Sequence, residues 1–128
     1  MNQIIGLFGK GDIGKTETLN LLIDLLEVAT TNCLMPIPQP ARKDRKKTFQ
    51  YNGKTISICT AGDNENELKN NCSYFKSMKC DIAISAARTR GKTHIVLEGL
   101  DPSIKVTWIK KIDNPSMNLQ IALDIFQN

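Results

Sequence analysis

The stretch that decides the fold is Ile4-Ile5-Gly6-Leu7-Phe8-Gly9-Lys10-Gly11-Asp12-Ile13-Gly14-Lys15-Thr16, followed by Glu17-Thr18-Leu19-Asn20-Leu21-Leu22. The apolar run Ile4 to Phe8 is short and closed by glycine, which predicts a parallel strand buried on both faces. Beyond Thr16 the apolar residues Leu19, Leu21, Leu22, Leu25, Leu26 and Ala29 recur with helical spacing. They predict a helix from about Thr16 to Ala29. A strand, a glycine-rich loop and a helix in immediate succession open an α/β unit.

The loop carries the pattern G-x-x-x-x-G-K-T from Gly9 to Thr16. Its glycines let the backbone turn with N–H groups pointing inward. The helix that follows brings partial positive charge to its N-terminus. Lys15 adds an ammonium group, expected at the β- and γ-phosphates of a bound nucleotide. Thr16 adds a hydroxyl suited to Mg²⁺, a hard cation that keeps several of its waters. The expected nucleotide-binding set is Gly9, Lys10, Gly11, Asp12, Ile13, Gly14, Lys15, Thr16 and Glu17, and the expected cofactors are ATP and Mg²⁺.

Outward from this loop, a hairpin is predicted. Asn52-Gly53 between Thr48–Tyr51 and Lys54–Cys59 is a favoured two-residue turn, because both positions tolerate positive φ. The second arm ends at Thr60-Ala61-Gly62-Asp63. Asn64 is placed to cap a helix running to about Met78, with Leu68, Cys72 and Phe75 on one face. Asp81 to Ala86 predicts another buried strand. The basic turn Arg88-Thr89-Arg90-Gly91-Lys92-Thr93 follows. His94 to Gly99 fits a short helix, or a strand ending in Glu98; the helix is preferred because a parallel strand needs a crossover before it. Lys105 to Ile109 alternates as a strand, with Trp108 expected in the core. Pro115 to Phe126 predicts a closing helix. Together these give an α/β fold in three layers with about five strands, mostly parallel, and one antiparallel edge hairpin.

The segment Thr30 to Lys47 stands apart. Pro36, Pro38 and Pro40 bar regular structure, and Arg42-Lys43-Asp44-Arg45-Lys46-Lys47 favours solvent. The expectation is a long exposed loop, a length often tied to binding.

The chain has 128 residues, the length of one domain. At 41% hydrophobic and 23% charged it reads as globular. A net charge of +4, from 17 basic and 13 acidic side chains, is a small surplus that could favour an anionic partner but reads as an ordinary surface. The run Arg42 to Lys47 could bind nucleic acid or a phosphorylated substrate, but it lacks interleaved aromatics, and a solvated loop is preferred to a nucleic-acid partner. Cys33, Cys59, Cys72 and Cys80 form no C-x-x-C pair, so a structural zinc site is not expected. Cys59 and Cys80 read as small buried thiols suited to a reducing cytosol. The first residues lack a signal-peptide pattern, and no run approaches the ~20 apolar residues of a membrane helix. The expected location is cytoplasmic, without membrane contact.

In its loop and flanking elements, most specifically over residues 4 to 26, the chain resembles the P-loop NTPase family. Three branches share features with it. Lys10-Gly11-Asp12-Ile13-Gly14-Lys15-Thr16 is similar to the K-G-G-x-G-K-T loop of partition-type ATPases, with Asp12 in place of a glycine. That likeness implies a homodimer in which Lys10 reaches the partner's nucleotide. The hairpin and Thr60-Ala61-Gly62 resemble the switch region of Ras-like GTPases, with Cys59 where their Asp-x-x-Gly acid stands. Lys110-Lys111-Ile112-Asp113 lacks the asparagine of a guanine-reading loop, which leaves adenine. Small kinases, the third branch, use arginines near the phosphates. Arg88 and Arg90 follow a strand end, where open α/β sheets meet ligands. There they would stabilise a transferring phosphoryl group, with Lys92 assisting.

Lys15, Asp63, Arg88 and Arg90 are therefore the candidate catalytic groups, and Thr16 and Asp63 the candidate metal ligands. Asp63 follows the second hairpin arm, where a metal-side acid belongs; Glu65 is a substitute, and Glu98 a base if a strand precedes it. The expected activity is that of a small Mg²⁺-dependent ATPase or nucleotide switch acting with a second copy or a regulatory protein. A small-molecule or nucleotide kinase and a non-catalytic nucleotide-binding module are the alternatives.

Overall fold

The apolar run at the start forms β1, Gln3–Phe8, in a computed structural model that describes residues 1–9, 14–31, 44–89 and 91–111. Helix α1 follows over Lys15–Thr31. The hairpin is β2, Lys46–Tyr51, and β3, Lys54–Cys59, paired antiparallel with Tyr51 opposite Lys54. Asn52 and Gly53 turn it with φ of 52° and 75°, the left-handed pair that matches strand twist. Helix α2, Glu65–Met78, is capped by Asn64, whose side chain accepts from the Glu67 N–H at 2.9 Å. Strand β4, Ile82–Ala87, helix α3, Lys92–Glu98, and strand β5, Thr107–Lys110, complete the described elements.

The sheet order is β2-β3-β4-β1-β5. Strand β1 runs parallel to both β4 and β5, β3 runs parallel to β4, and only the β2 edge is antiparallel. Side chains alternate between the two faces, as the period of a strand requires. Ile5, Leu7, Ile56, Ile58, Ile84 and Ala86 pack under Leu19, Leu22, Ile23 and Leu26 of α1. Ile4, Cys59 and Ala83 pack on the other face with Leu68, Cys72 and Phe75 of α2 and Leu97 of α3. The result is the expected three-layer α/β sandwich. Among the described residues no helix is long and apolar enough to cross a membrane.

This topology sets how the chain leaves the sheet at the carboxyl ends of β1 and β4. The connection after β1 leaves toward the face covered by α1, and the connection after neighbouring β4 leaves toward the face covered by α3. Neighbouring parallel strands whose connections part in this way open a crevice beyond their carboxyl ends. Gly9 and Ala87 lie at its floor, joined by a 3.2 Å hydrogen bond from the Gly9 N–H to the Ala87 carbonyl.

Several boundaries differ from the sequence reading. Thr30 and Thr31 belong to α1, and Lys46 and Lys47, expected in an exposed loop, belong to β2. Pairing with β3 extends the strand, while their side chains still point to solvent. The segment before Glu98 is helical, as preferred, so the condition for Glu98 as a base is not met. Trp108 is on an end strand of the described sheet and half-buried, stacked on His94 at 3.8 Å between ring centres. The expectations for Lys10, Gly11, Asp12, Ile13, Arg42, Lys43, Arg90 and the helix from Pro115 lie outside the described residues.

Candidate functional site

Lys15 is the first residue of α1, and its side chain reaches the carboxyl ends of β1 and β4. Its Nζ donates to the Gly9 carbonyl at 2.7 Å and to the Ala87 carbonyl at 2.8 Å. The Asp63 carboxylate lies 3.5 Å away. Only 5% of the Lys15 side chain is exposed, against 58% for Asp63. Burial lowers the Lys15 pKa from its ordinary 10.5; the Asp63 carboxylate works against this, and Arg88 pushes with it. One mostly solvated carboxylate therefore does not compensate the burial of the cation fully, and a further anion at Nζ would favour its charged form. Gly14, just before Lys15, has φ of 92°, and its carbonyl accepts from both the N–H and the hydroxyl of Thr18, at 2.9 and 2.8 Å.

Thr16 points to the other side of the site. Its hydroxyl lies 3.2 Å from Asp44 Oδ1 and 3.4 Å from the Thr60 carbonyl oxygen. The same Asp44 oxygen accepts from the Thr60 hydroxyl at 3.1 Å. Asp44 is held from behind by its neighbour. The Arg45 N–H donates to the Thr60 hydroxyl at 2.8 Å, and the Thr60 N–H donates to the Arg45 carbonyl at 3.1 Å. The Arg45 guanidinium reaches α1, donating to Asn20 Oδ1 at 2.6 Å and to Asp24 at 3.1 Å. The start of β2 is thereby tied to the helix that carries Lys15 and Thr16.

The segment after β3 is tied equally firmly to β4. A Cβ on Gly62 would collide with the Ala86 carbonyl, so only glycine allows this approach. Asn71 of α2, 1% exposed, donates to the Ala61 carbonyl at 2.7 Å and to Ser85 Oγ at 3.0 Å, while its Oδ1 has no partner. Past Gly62, Asp63 receives two further contacts. Its N–H donates to Glu67 at 2.8 Å, and its carbonyl accepts from Arg88 Nε at 3.0 Å. Arg88 therefore lies at the same strand-end edge as Lys15, its own N–H donating to Thr93 Oγ1 at 3.0 Å.

The structure thus brings together Gly9, Gly14, Lys15, Thr16, Asp63 and Arg88 from the sequence reading. Glu65 is directed elsewhere, pairing with Lys69 at 3.5 Å and with Lys92 at 3.9 Å. Asp63 was expected beside the metal; its carboxylate faces Lys15, and the carboxylate beside the Thr16 hydroxyl is that of Asp44. Sequence reasoning passed over Asp44, Thr60 and Asn71. The available signal for Asp44 was its place as the single acid among five cations in Arg42-Lys43-Asp44-Arg45-Lys46-Lys47. Among the described residues the thiols are poor nucleophiles: burial raises the pKa of Cys59 to about 12 and raises those of Cys72 and Cys80. Comparison of the chain with protein-family models, with curated proteins and with solved structures found no significant match in any of the three.

Proposed function

We propose that this chain binds ATP with Mg²⁺ at the crevice between β1 and β4 and works as a small ATPase or nucleotide switch. The observation that carries the reading is Lys15. The lysine of a G-x-x-x-x-G-K-T sequence is buried at the carboxyl ends of two parallel strands, held by backbone carbonyls. A buried ammonium with its pKa pushed down gains from a phosphate that replaces those carbonyls. Thr16, the next residue of α1, supplies a hydroxyl, and the surrounding donors are hard oxygens of the kind Mg²⁺ takes. Arg88, fixed across the edge by the Asp63 carbonyl, is the cation available to a developing phosphoryl charge.

In this reading Lys15 orients the β- and γ-phosphates and Thr16 holds the metal. The Thr60–Asp63 segment, which meets Thr16 through the Thr60 carbonyl and Lys15 through Asp63, is the part that would sense the nucleotide. Mg²⁺, when bound, would offset phosphate charge during transfer to water. Arg88 also suits a kinase, in which an acceptor other than water enters beside it.

Lys15→Ala tests the reading. ATP binding by calorimetry should be lost while circular dichroism stays unchanged; an unaltered affinity would refute it. Labelled ATP and Mg²⁺, with and without a panel of nucleosides and nucleotides, then separates the modes. Slow phosphate release alone indicates the ATPase or switch, a labelled acceptor the kinase, and tight binding with neither the non-catalytic module.

A further inference from the structure

Resting on the nucleotide reading above, we infer that Asp44 is the metal-side carboxylate of this site, with Thr60 as its positioning residue. Two carboxylates approach the start of α1. Asp63 meets the ammonium of Lys15 at 3.5 Å, and Asp44 meets the hydroxyl of Thr16 at 3.2 Å. A carboxylate beside a lysine tempers that lysine's charge. A carboxylate beside the hydroxyl that takes the cation adds to the donor set: the Thr16 hydroxyl, the Asp44 oxygen and the Thr60 carbonyl are all hard oxygen donors, the class that Mg²⁺ and Mn²⁺ select.

Thr60 makes this placement specific. Its hydroxyl belongs to a buried residue, 1% exposed, and accepts from the Arg45 N–H, so its own proton is directed at Asp44. Arg45 in turn is locked to α1 through Asn20 and Asp24. Asp44, exposed and adjoining this anchored pair, is aimed without being consumed.

The charge logic gives a signature that a framework residue would not have. Without metal, an anionic Asp44 repels the phosphates; with metal, it attracts the cation they carry. Asp44→Asn in the full chain should therefore weaken Mn²⁺ binding to the protein–ATP complex tenfold or more, read by electron paramagnetic resonance. ATP affinity in excess EDTA should stay the same or tighten a few-fold. Thr60→Val should weaken Mn²⁺ binding partially, and Thr60→Ser should restore it. Unchanged Mn²⁺ affinity in Asp44→Asn, or equal losses with and without metal, would overturn the inference and leave the phosphate loop standing. So would Asp63→Asn causing the Mn²⁺ loss instead. If the unaltered chain binds ATP in neither condition, the nucleotide reading fails and this inference falls with it.

Discussion

Replacing Gly62 with alanine tests how the segment after β3 is seated. The added methyl would collide with the Ala86 carbonyl and sit 2.8 Å from the Ala86 Cβ, where ordinary contact begins at 3.4 Å. The colliding atoms are backbone of the buried strand β4, which has two neighbours in the sheet and cannot yield cheaply. The 60–63 segment must therefore lift, by an ångström or so. Overpacking of this kind costs about 1–3 kcal/mol. Lifting also breaks the hydrogen bond from Asn71 to the Ala61 carbonyl, adding about 1–2 kcal/mol because Asn71 is buried and its Oδ1 already lacks a partner. The sum is about 2–5 kcal/mol. For a domain of this size each kcal/mol moves Tm by roughly 3–5 °C, so Gly62→Ala should melt at least ~6 °C lower. Urea unfolding should show a lower midpoint with an unchanged slope, since the same surface is exposed. A loss below about 0.5 kcal/mol would refute the reasoning, because it would mean that the segment does not rest on β4 at all.

Two further outcomes are expected. Asp63→Asn should tighten ATP binding a few-fold, since it removes the carboxylate that tempers the Lys15 charge and leaves the carbonyl anchors intact; an unchanged or weaker affinity by calorimetry would remove Asp63 from the charge balance at the ammonium. The alkaline limb of the stability curve should depend on Cys59. Its thiol holds its proton to about 12 when folded against 9.0 ordinarily, so the folded state binds more protons between those values. The stabilising contribution is complete below pH 9.0 and is lost as pH rises toward 12, by about 1.4 kcal/mol per unit. The difference in urea midpoint between pH 8 and pH 10.5 should be smaller in Cys59→Ala than in the unaltered chain, and equal differences would contradict this.

The elements themselves were legible because their signals are local. Alternation or continuity of apolar residues marked β1, β3 and β4, Asn52-Gly53 marked the hairpin, and Asn64 marked the start of α2 through the backbone donors it satisfies. The sequence also singled out Lys15 and Thr16, because a phosphate-type loop is itself a local pattern. Lys46 and Lys47 were misjudged, since their composition favours solvent and only the partner strand β3 shows that their backbone is paired.

Which strands become neighbours is not a local property. Setting β4 between β1 and β3 brings Ala87 to the ammonium of Lys15, a contact spanning 72 positions in the chain. Packing α1 against the start of β2 brings Asp44 to Thr16 across 28 positions. The sequence by itself determined the loop, its lysine and the alternation of strands and helices. The tertiary structure alone decided which carboxylate faces the lysine and which the hydroxyl, because periodicity tells a side chain which face of its own element it occupies and says nothing of what is packed against that face.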